Sequence, residues 1–255
     1  MIKSLLVAWR DPAARRWHPV GRLTDANGTF EYVYVRGAES ARRKSGFHPF
    51  ESFPNIQDVY QSDELFPLFA NRVPSAARSD YADFTTWLNV PTTERDPIVL
   101  LARSAGRRVT DNLELFPIPE ADEHGECVFH FFAHGIRYAT PQAQERILRF
   151  SAGDRLFMAH DFQNEVDCRA LLLRTGDDED GGRQFVGYCP SYLLDNVFEL
   201  IARCEFAPEV SVEKVNPPPA PIQMRLLCKL SGCWPDGFTP FSGEAYQPIP
   251  AGAIV

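Results

Sequence analysis

Residues 129–138 read FHFFAHGIRY, and this stretch decides how we interpret the rest of the chain. Large apolar residues alternate with other residues along its first half, which is typical of a half-buried β-strand. It ends in a glycine, an isoleucine, an arginine and a tyrosine. Arginine offers a planar fork of donors that suits phosphate, and a tyrosine ring offers a face on which a base can stack. Arg137 and Tyr138 are therefore candidates for binding nucleic acid, the alternative being an ion pair and a half-buried ring at a strand end.

The composition indicates a folded protein with only local attraction for nucleic acid. The 255 residues suffice for two ordinary domains, and 44% hydrophobic with 24% charged residues is normal for globular proteins. The formal net charge is −8, whereas proteins that bind nucleic acid over a broad surface are normally basic. Residues 1–50 are an exception, with nine basic residues against four acidic ones. Any contact with nucleic acid must therefore use a local patch.

The cysteines and the termini predict a cytoplasmic protein. None of the six cysteines forms a C-x-x-C pair, which argues against a zinc ribbon or a thioredoxin site and favours reduced thiols. The first residues, Met1, Ile2 and Lys3, do not begin a secretory signal, and no apolar run approaches the ~20 residues of a membrane span. We expect no membrane contact, no bound metal and no other cofactor.

The sequence predicts a protein of the α+β class, in which residues 1–116 form a mixed antiparallel sheet with helices. The predicted strands are 5–9, 20–23, 30–35, 98–103 and 107–116, and Asn27-Gly28 forms a tight turn. Helices are predicted to begin at Ser62 and Ser79. We interpret residues 36–56 as a loop whose basic run, residues 42–44, is solvated rather than a binding site.

The order of these parts resembles the N-terminal subdomain of HipA-type toxin kinases and the separate small proteins that correspond to it. The resemblance covers residues 4–115 and is carried by VGRL at 20–23, FEY at 30–32 and ELFPLFANR at 64–72. The sequence contains neither a glycine-rich phosphate loop nor an H-R-D-like catalytic loop. The resemblance therefore implies a fold and a partner-binding role, without phosphoryl transfer.

The rest of the chain is predicted to contain a linker, a small second domain and a tail. Residues 117–126 have the proline-rich, acidic composition of a linker, and residues 127–205 form the second domain. Its predicted strands are 155–159, 171–174 and 184–189, with a helix or loop at 140–149 and a helix from Pro190. Residues 176–182 are predicted to be a solvated hairpin tip rather than a calcium site. In the C-terminal extension, 206–255, we predict a strand at 209–215, a polyproline-like linker at 216–221 and packing of later apolar residues on the body.

An ordered set of short motifs in residues 127–205 resembles the HIRAN domain. The motifs are GIRY at 135–138, LFM at 156–158, NEVDCRA at 164–170, VGYCP at 186–190 and LL at 193–194. Such a domain implies a small OB-like β-barrel that binds a single-stranded DNA end, particularly a free 3′ end, beside helicase or nuclease modules. The partners implied are thus single-stranded DNA and a kinase, helicase or nuclease.

The resemblance also implies a role for each matched residue. Arg137 would contact a phosphate, and Tyr138 would pack on a base or a sugar. Asp167 would accept a hydrogen bond from a terminal hydroxyl, and Asn164 would hold the loop that carries it. Tyr188 would line the same groove.

Three positions depart from the family pattern. Glu165 and Val166 replace the proline and tyrosine of N-P-Y-D, so a stacking face is lost and a negative charge is gained. Ser191 stands near the place where a lysine would help to hold phosphate. A lost stack costs about 1–3 kcal/mol, so these departures predict weaker binding of DNA ends.

Three classes of function remain open. The first is a non-enzymatic module that binds nucleic-acid ends. The second is a protein-interaction scaffold or an antitoxin-like regulatory partner of a HipA-type kinase, which the charge of −8 and Val166 favour. The third is a hydrolase or a metal enzyme. Two observations argue against it: no motif contains a nucleophile–base pair, and His130, His134 and Cys127 lack a convergent fourth zinc ligand.

Overall fold

The chain forms two compact units, and each contains one antiparallel sheet with helices. The computed structural model describes residues 4–108, 111–119, 125–177 and 182–249. The first unit comprises Met1–Thr85, Val90–Ile118 and Thr239–Val255, and the second comprises Thr86–Asn89 and Pro119–Phe238. The predicted α+β class is confirmed.

The first unit is built on a five-stranded sheet. Its elements are β1 (Ser4–Arg10), β2 (Trp17–Ala26), β3 (Thr29–Tyr34), α1 (Arg36–Ser45), β4 (Tyr60–Ser62), α2 (Pro67–Ala70), α3 (Tyr81–Trp87, whose last two residues fall in the second unit), α4 (Pro97–Ser104) and β5 (Leu113–Pro117). The strand order is β4-β3-β2-β1-β5. The predicted turn between β2 and β3 is confirmed, because Asn27 and Gly28 have φ angles of 57° and 92° and Asp25 Oδ1 accepts a hydrogen bond from Gly28 N.

Stacked aromatic rings form the core of the first unit. The centroids of the Tyr32 and Phe53 rings lie 4.2 Å apart, and the Phe69 ring lies 6.0 Å from Phe53 and 5.6 Å from Tyr32. Tyr34 Oη donates to Phe53 O and accepts from Phe50 N, and burial raises the pKa of this phenol to about 12. These contacts fix residues 46–56, which contain no helix or strand, on the sheet.

Two segments of the first unit differ from the sequence-based prediction. Residues 36–45 form a helix and not a loop, because Ala38 and Ala41 are buried and the basic run occupies the last turn, where it interacts favourably with the helix dipole. Residues 98–103 lie in α4 and not in a strand. The capping bond from Ile98 N to Asp96 Oδ1, with Pro97 at the first position, starts a helix there.

Two smaller differences concern the ends of elements. Ser62 ends β4, and the helix predicted to begin there starts later, at Pro67. The strand predicted at 107–116 is shorter, since β5 begins at Leu113; residues 109–110 lie outside the described part of the chain.

The second unit is built on a six-stranded sheet that curls into a half-barrel. Its elements are β6 (Glu126–Phe132), α5 (Pro141–Ile147), β7 (Arg155–His160), β8 (Leu171–Arg174), β9 (Phe185–Tyr188), α6 (Leu194–Arg203), β10 (Glu209–Val215) and β11 (Leu226–Cys233). The strand order is β6-β11-β10-β7-β8-β9. His134, two residues beyond β6, forms an antiparallel bridge with Tyr188 of β9, so the two edges of the sheet meet at this point.

The predicted C-terminal extension belongs to both units. The strand predicted at 209–215 is confirmed as β10, and β11 lies between β6 and β10 in the second sheet. The second unit therefore runs past residue 205, because Val212, Leu227 and Leu230 supply part of its buried face. The chain then returns to the first unit, where Ile249 N donates to Tyr34 O. Residues 120–124 of the linker and 178–181 of the hairpin tip lie outside the described ranges.

Candidate nucleic-acid interface

A short turn after β6 presents Arg137 and Tyr138 to solvent. Gly135 has a left-handed φ of 71° and begins a single 3₁₀ turn, in which Ile136 is buried and anchors the segment. Tyr138 is 63% exposed. Arg137 Nη2 donates to Tyr138 Oη at 2.6 Å, and the Arg137 Cζ lies 4.7 Å from the centroid of the same ring. The two residues thus form an exposed cation–π pair, and no carboxylate among the described residues pairs with Arg137.

The bridge between the sheet edges brings Tyr188 beside this turn. His134 N donates to Tyr188 O at 2.9 Å, and Tyr188 N donates to His134 O at 2.8 Å. A Cβ atom placed on Gly135 would lie 3.1 Å from Tyr188 Cδ2 and 3.5 Å from Tyr138 Cδ2. The two rings therefore flank the same glycine, which permits their approach because it has no side chain.

The loop between β7 and β8 is hydrogen-bonded to Tyr188 through Asp161, a residue that the sequence motifs did not include. Asp161 Oδ2 accepts hydrogen bonds from Tyr188 Oη and from Asn164 Nδ2, both at 3.0 Å. No motif includes Asp161; the available signal was an acidic residue directly after a strand, which does not specify a partner. This residue connects the sheet edge to the loop that carries the other candidates.

Asn164 holds its loop as the sequence predicts. Its Oδ1 accepts from Val166 N at 3.0 Å and from Asp167 N at 3.2 Å, which is the Asx-type turn expected of this residue. Asp167 is half-buried, and its Oδ1 accepts from Arg169 N at 2.9 Å. The Asp167 carboxylate has no direct contact with Arg137 or Tyr188. The structure therefore joins Tyr138, Tyr188 and Asn164 closely and places Asp167 one hydrogen bond further away.

Burial and Asp161 together keep Tyr188 protonated. Burial raises the pKa of the phenol, and the hydrogen bond to the Asp161 carboxylate raises it further, since the neighbouring negative charge disfavours a phenolate; Asn164 has a smaller opposite effect. Tyr188 is consequently a neutral hydrogen-bond donor at physiological pH, and its ring edge packs against Gly135.

The three positions at which the sequence departs from the HIRAN motifs differ in exposure. Val166 is 42% exposed, so an aromatic side chain there would have offered a stacking face. Glu165 is exposed and adds to the negative charge of Asp161 and Asp167 in this loop. The Ser191 Oγ is buried, and thus does not replace a phosphate-binding lysine at the surface.

We expect Tyr188→Phe to destabilise the protein by about 2 kcal/mol, because it removes a half-buried hydrogen bond to a carboxylate. Tyr138→Phe is the matched control: its hydroxyl is exposed, so we expect a loss below about 0.5 kcal/mol. Urea unfolding of the two variants measures the difference. Equal stabilities would show that the bond between Tyr188 and Asp161 contributes nothing.

No three His, Cys, Asp or Glu side chains among the described residues are arranged to hold a metal ion. None of the described helices combines the length and the hydrophobicity needed to cross a bilayer.

Searches of this chain against protein-family models, curated proteins and solved structures find no match. The case for a function thus depends on the residues and contacts described above.

Proposed function

We propose that the second unit is a HIRAN-type, OB-like module that binds the free 3′ end of a single-stranded nucleic acid, DNA in the first instance. The observation that carries this proposal is the convergence of Tyr138, Tyr188 and Asn164 around Gly135 and Asp161. Those residues are far apart in sequence, yet each was matched to the same end-binding motif set. The proposed module makes no covalent change to its ligand.

Each side chain has a distinct task in this proposal. The exposed face of Tyr138 stacks on a base, and stacking is tolerant of sequence because every base has a π-face. Arg137 uses one of its five donors on Tyr138 and keeps the others for a phosphate. The hydrogen bond to Tyr138 Oη and the contact with its ring orient the guanidinium before the ligand arrives, which lowers the entropic cost of binding.

The acidic loop gives a reason for selecting a hydroxyl end. Asp161, Glu165 and Asp167 repel a terminal phosphate, whereas a terminal hydroxyl can donate to a carboxylate oxygen of Asp167. The same charges weaken overall attraction for the strand, which agrees with a net charge of −8. We therefore propose an interface with modest affinity and strong discrimination between end types.

The direct test compares strands that differ only at one end. Fluorescence anisotropy of a 5′-labelled ten-nucleotide strand is expected to give at least ~10-fold tighter binding for a 3′-hydroxyl than for a 3′-phosphate, since one like-charge contact costs of the order of 1.4 kcal/mol or more. A circular strand of the same composition, labelled on an internal base, lacks both ends and should bind no better than the 3′-phosphate strand. Equal affinity for the three strands contradicts end recognition.

Two substitutions and a control test the roles of Arg137 and Asp167. Arg137→Gln should weaken binding of the 3′-hydroxyl strand by about 10-fold, because it removes a charged phosphate contact. Asp167→Asn should reduce the preference for hydroxyl over phosphate by a similar factor. Arg183→Gln is the control, because Arg183 is exposed and pairs with Asp177 in the hairpin between β8 and β9. An equal effect of Arg137→Gln and Arg183→Gln would contradict a specific role for Arg137.

A protein partner is the second candidate function, and exposed apolar residues of the same loop favour it. Phe162 is 68% exposed and Val166 is 42% exposed, beside the acidic Glu165. In this alternative the first unit, which resembles the HipA N-terminal subdomain, and the second unit are parts of a scaffold for a kinase, helicase or nuclease. A defined kinase partner that is retained after nuclease treatment, and released by Phe162→Ser, would support it.

A further inference from the structure

The strands β7, β8 and β9 form a wall with one buried and one half-exposed face. The buried face contains Leu156, Leu171, Leu173 and Val186. The other face, here called the outer face, consists of half-exposed residues: Phe157, Ala159, Leu172, Arg174, Phe185 and Tyr188. The strand register places Phe157 opposite Arg174, Ala159 opposite Leu172 and Leu172 opposite Tyr188. The outer face is therefore continuous with the candidate end-binding residues through Tyr188.

Arginine and aromatic side chains alternate on the outer face. The Cζ atoms of Arg155 and Arg174 lie 5.2 Å and 5.1 Å from the centroid of the Phe157 ring. The rings of Phe185 and Tyr188 are 4.9 Å apart, and Arg174 stands opposite Phe185 in the register. Two guanidinium groups and three aromatic rings thus share one surface.

The contacts of the two arginines leave their charges available. Arg174 donates from Nη1 to Thr175 O, a neutral acceptor, and its charge also acts on the exposed Asp177 carboxylate, which pairs directly with Arg183. Arg155 pairs with Glu209 at 2.8 Å, and both side chains are 59% exposed. Exposed ion pairs of this kind contribute little to stability, so Arg155 can exchange Glu209 for a phosphate at small cost.

We infer that the outer face binds the nucleotides that precede the captured 3′-terminal nucleotide; this inference rests on the proposed function of the second unit. Arginines that contact phosphates beside rings that stack on bases are the chemistry of single-strand binding surfaces. Two strand spacings and two residue rises separate Tyr188 from Phe157, which is roughly 12 Å. At about 3.4 Å per stacked nucleotide, this distance corresponds to three or four nucleotides.

The chemistry of the face favours a nucleic acid over a membrane or an acidic peptide. Both cations are arginines, whose planar fork suits phosphate, and both stack on a ring, as they would beside a base. The rings are half-buried in the wall and do not project as membrane anchors do. The face therefore fits a strand that lies flat across it.

Oligothymidylates of two, five and ten nucleotides, all with a 3′-hydroxyl, test the inference with the full-length protein. For the wild type, we expect affinity to rise by at least ~10-fold from two to five nucleotides and little further to ten, because stacking and phosphate contacts add until the face is covered. Arg155→Gln and Arg174→Gln should each weaken binding of the longer strands and reduce the slope of log K against log salt by about 0.7. Binding of the dinucleotide should not change.

Phe157 has two informative variants. Phe157→Leu should weaken binding of the five-nucleotide strand by roughly 5-fold or more, whereas Phe157→Tyr keeps a ring and should retain wild-type affinity. Circular dichroism of both variants verifies folding, and Arg78→Gln, which removes an exposed arginine paired with Asp80 in the first unit, serves as the control. Comparison of Phe157→Leu with Phe157→Tyr separates loss of stacking from loss of structure.

The outcomes distinguish the two proposals. Equal affinity for all three lengths, with no effect of Arg155→Gln, Arg174→Gln or Phe157→Leu, overturns the inference and leaves recognition of the 3′ end intact. Failure of the wild type to bind any 3′-hydroxyl strand overturns both. Length-dependent binding that these three substitutions reduce supports the inference.

Discussion

Glu114→Gln is expected to remove a pH-dependent loss of stability in the first unit, which amounts to about 2–3 kcal/mol between pH 5 and pH 8. Glu114 lies on β5 opposite Ala8 and is 1% exposed. Its Oε1 is 2.8 Å from Arg107 Nε. Burial nevertheless dominates and raises the pKa of the carboxyl to about 7, against the opposing attraction of Arg107 and Arg10.

The direction follows from the two states of the chain. In the unfolded chain this carboxyl loses its proton near pH 4.5, whereas in the folded protein it holds the proton up to about pH 7. The contribution of Glu114 to the free energy of unfolding is therefore greatest below about pH 4.5. It falls as the pH rises to about 7 and is constant above that. Glutamine is neutral at every pH and cannot contribute this slope.

Urea unfolding of Glu114→Gln and the wild type at pH 5 and pH 8 measures the effect. The variant should gain about 2–3 kcal/mol relative to the wild type on going from pH 5 to pH 8, whatever its absolute stability at pH 5. Glu51→Gln changes an exposed residue of the same unit, and its unfolding free energy should depend on pH as that of the wild type does. Parallel profiles for the wild type and Glu114→Gln would show that Arg107 fully stabilises the buried charge.

Local signals in the sequence predicted the parts of the fold that local chemistry controls. Asn27-Gly28 fixes a hairpin wherever it occurs between two alternating strands, and the structure has it. The apolar run at 98–103 fits a buried strand and a buried helix equally well, so periodicity could not choose between them. Asp96 and Pro97 were the better evidence, since together they cap and start α4.

Pairing between distant segments could not be predicted in this way. β11 lies between β6 and β10, although about 100 residues separate it from β6. The choice of neighbours depends on which buried faces complement one another, and no single segment contains that information. The same reason explains why the second unit extends beyond the motifs by which it was first delimited.

In the candidate site, too, local contacts were predicted from the sequence and contacts between distant segments were not. Asn164 was predicted to hold its own loop, and it does so with bonds that span two and three residues. Asp161 was missed, because its partners Tyr188 and Asn164 are identified only when β9 lies next to the loop. Likewise the stack of Arg155 and Arg174 on Phe157 requires the pairing of β7 with β8.

The closure of the half-barrel and the proposed binding of ends should fail together in Gly187→Ala. Gly187 has a φ of 150°, which side chains rarely adopt, and an added Cβ would lie 2.9 Å from His134 O and 3.0 Å from Ala133 Cβ. His134 O is the acceptor of the bond from Tyr188 N that joins the sheet edges. We expect a loss of roughly 3 kcal/mol from backbone strain and overpacking, because a backbone atom cannot rotate away.

The same substitution should weaken binding of a 3′-hydroxyl strand by more than ~10-fold, since it moves Tyr188 away from Gly135 and from the proposed stacking residue Tyr138. Gly182→Ala is the control within the second unit: Gly182 has a φ of 72°, but an added Cβ meets nothing within 4 Å, so only about 1–2 kcal/mol of strain and no loss of binding are expected. Urea unfolding and anisotropy on both variants test the coupling. Normal binding by a destabilised Gly187→Ala would show that the bridge between the sheet edges is structural and that the end is bound elsewhere.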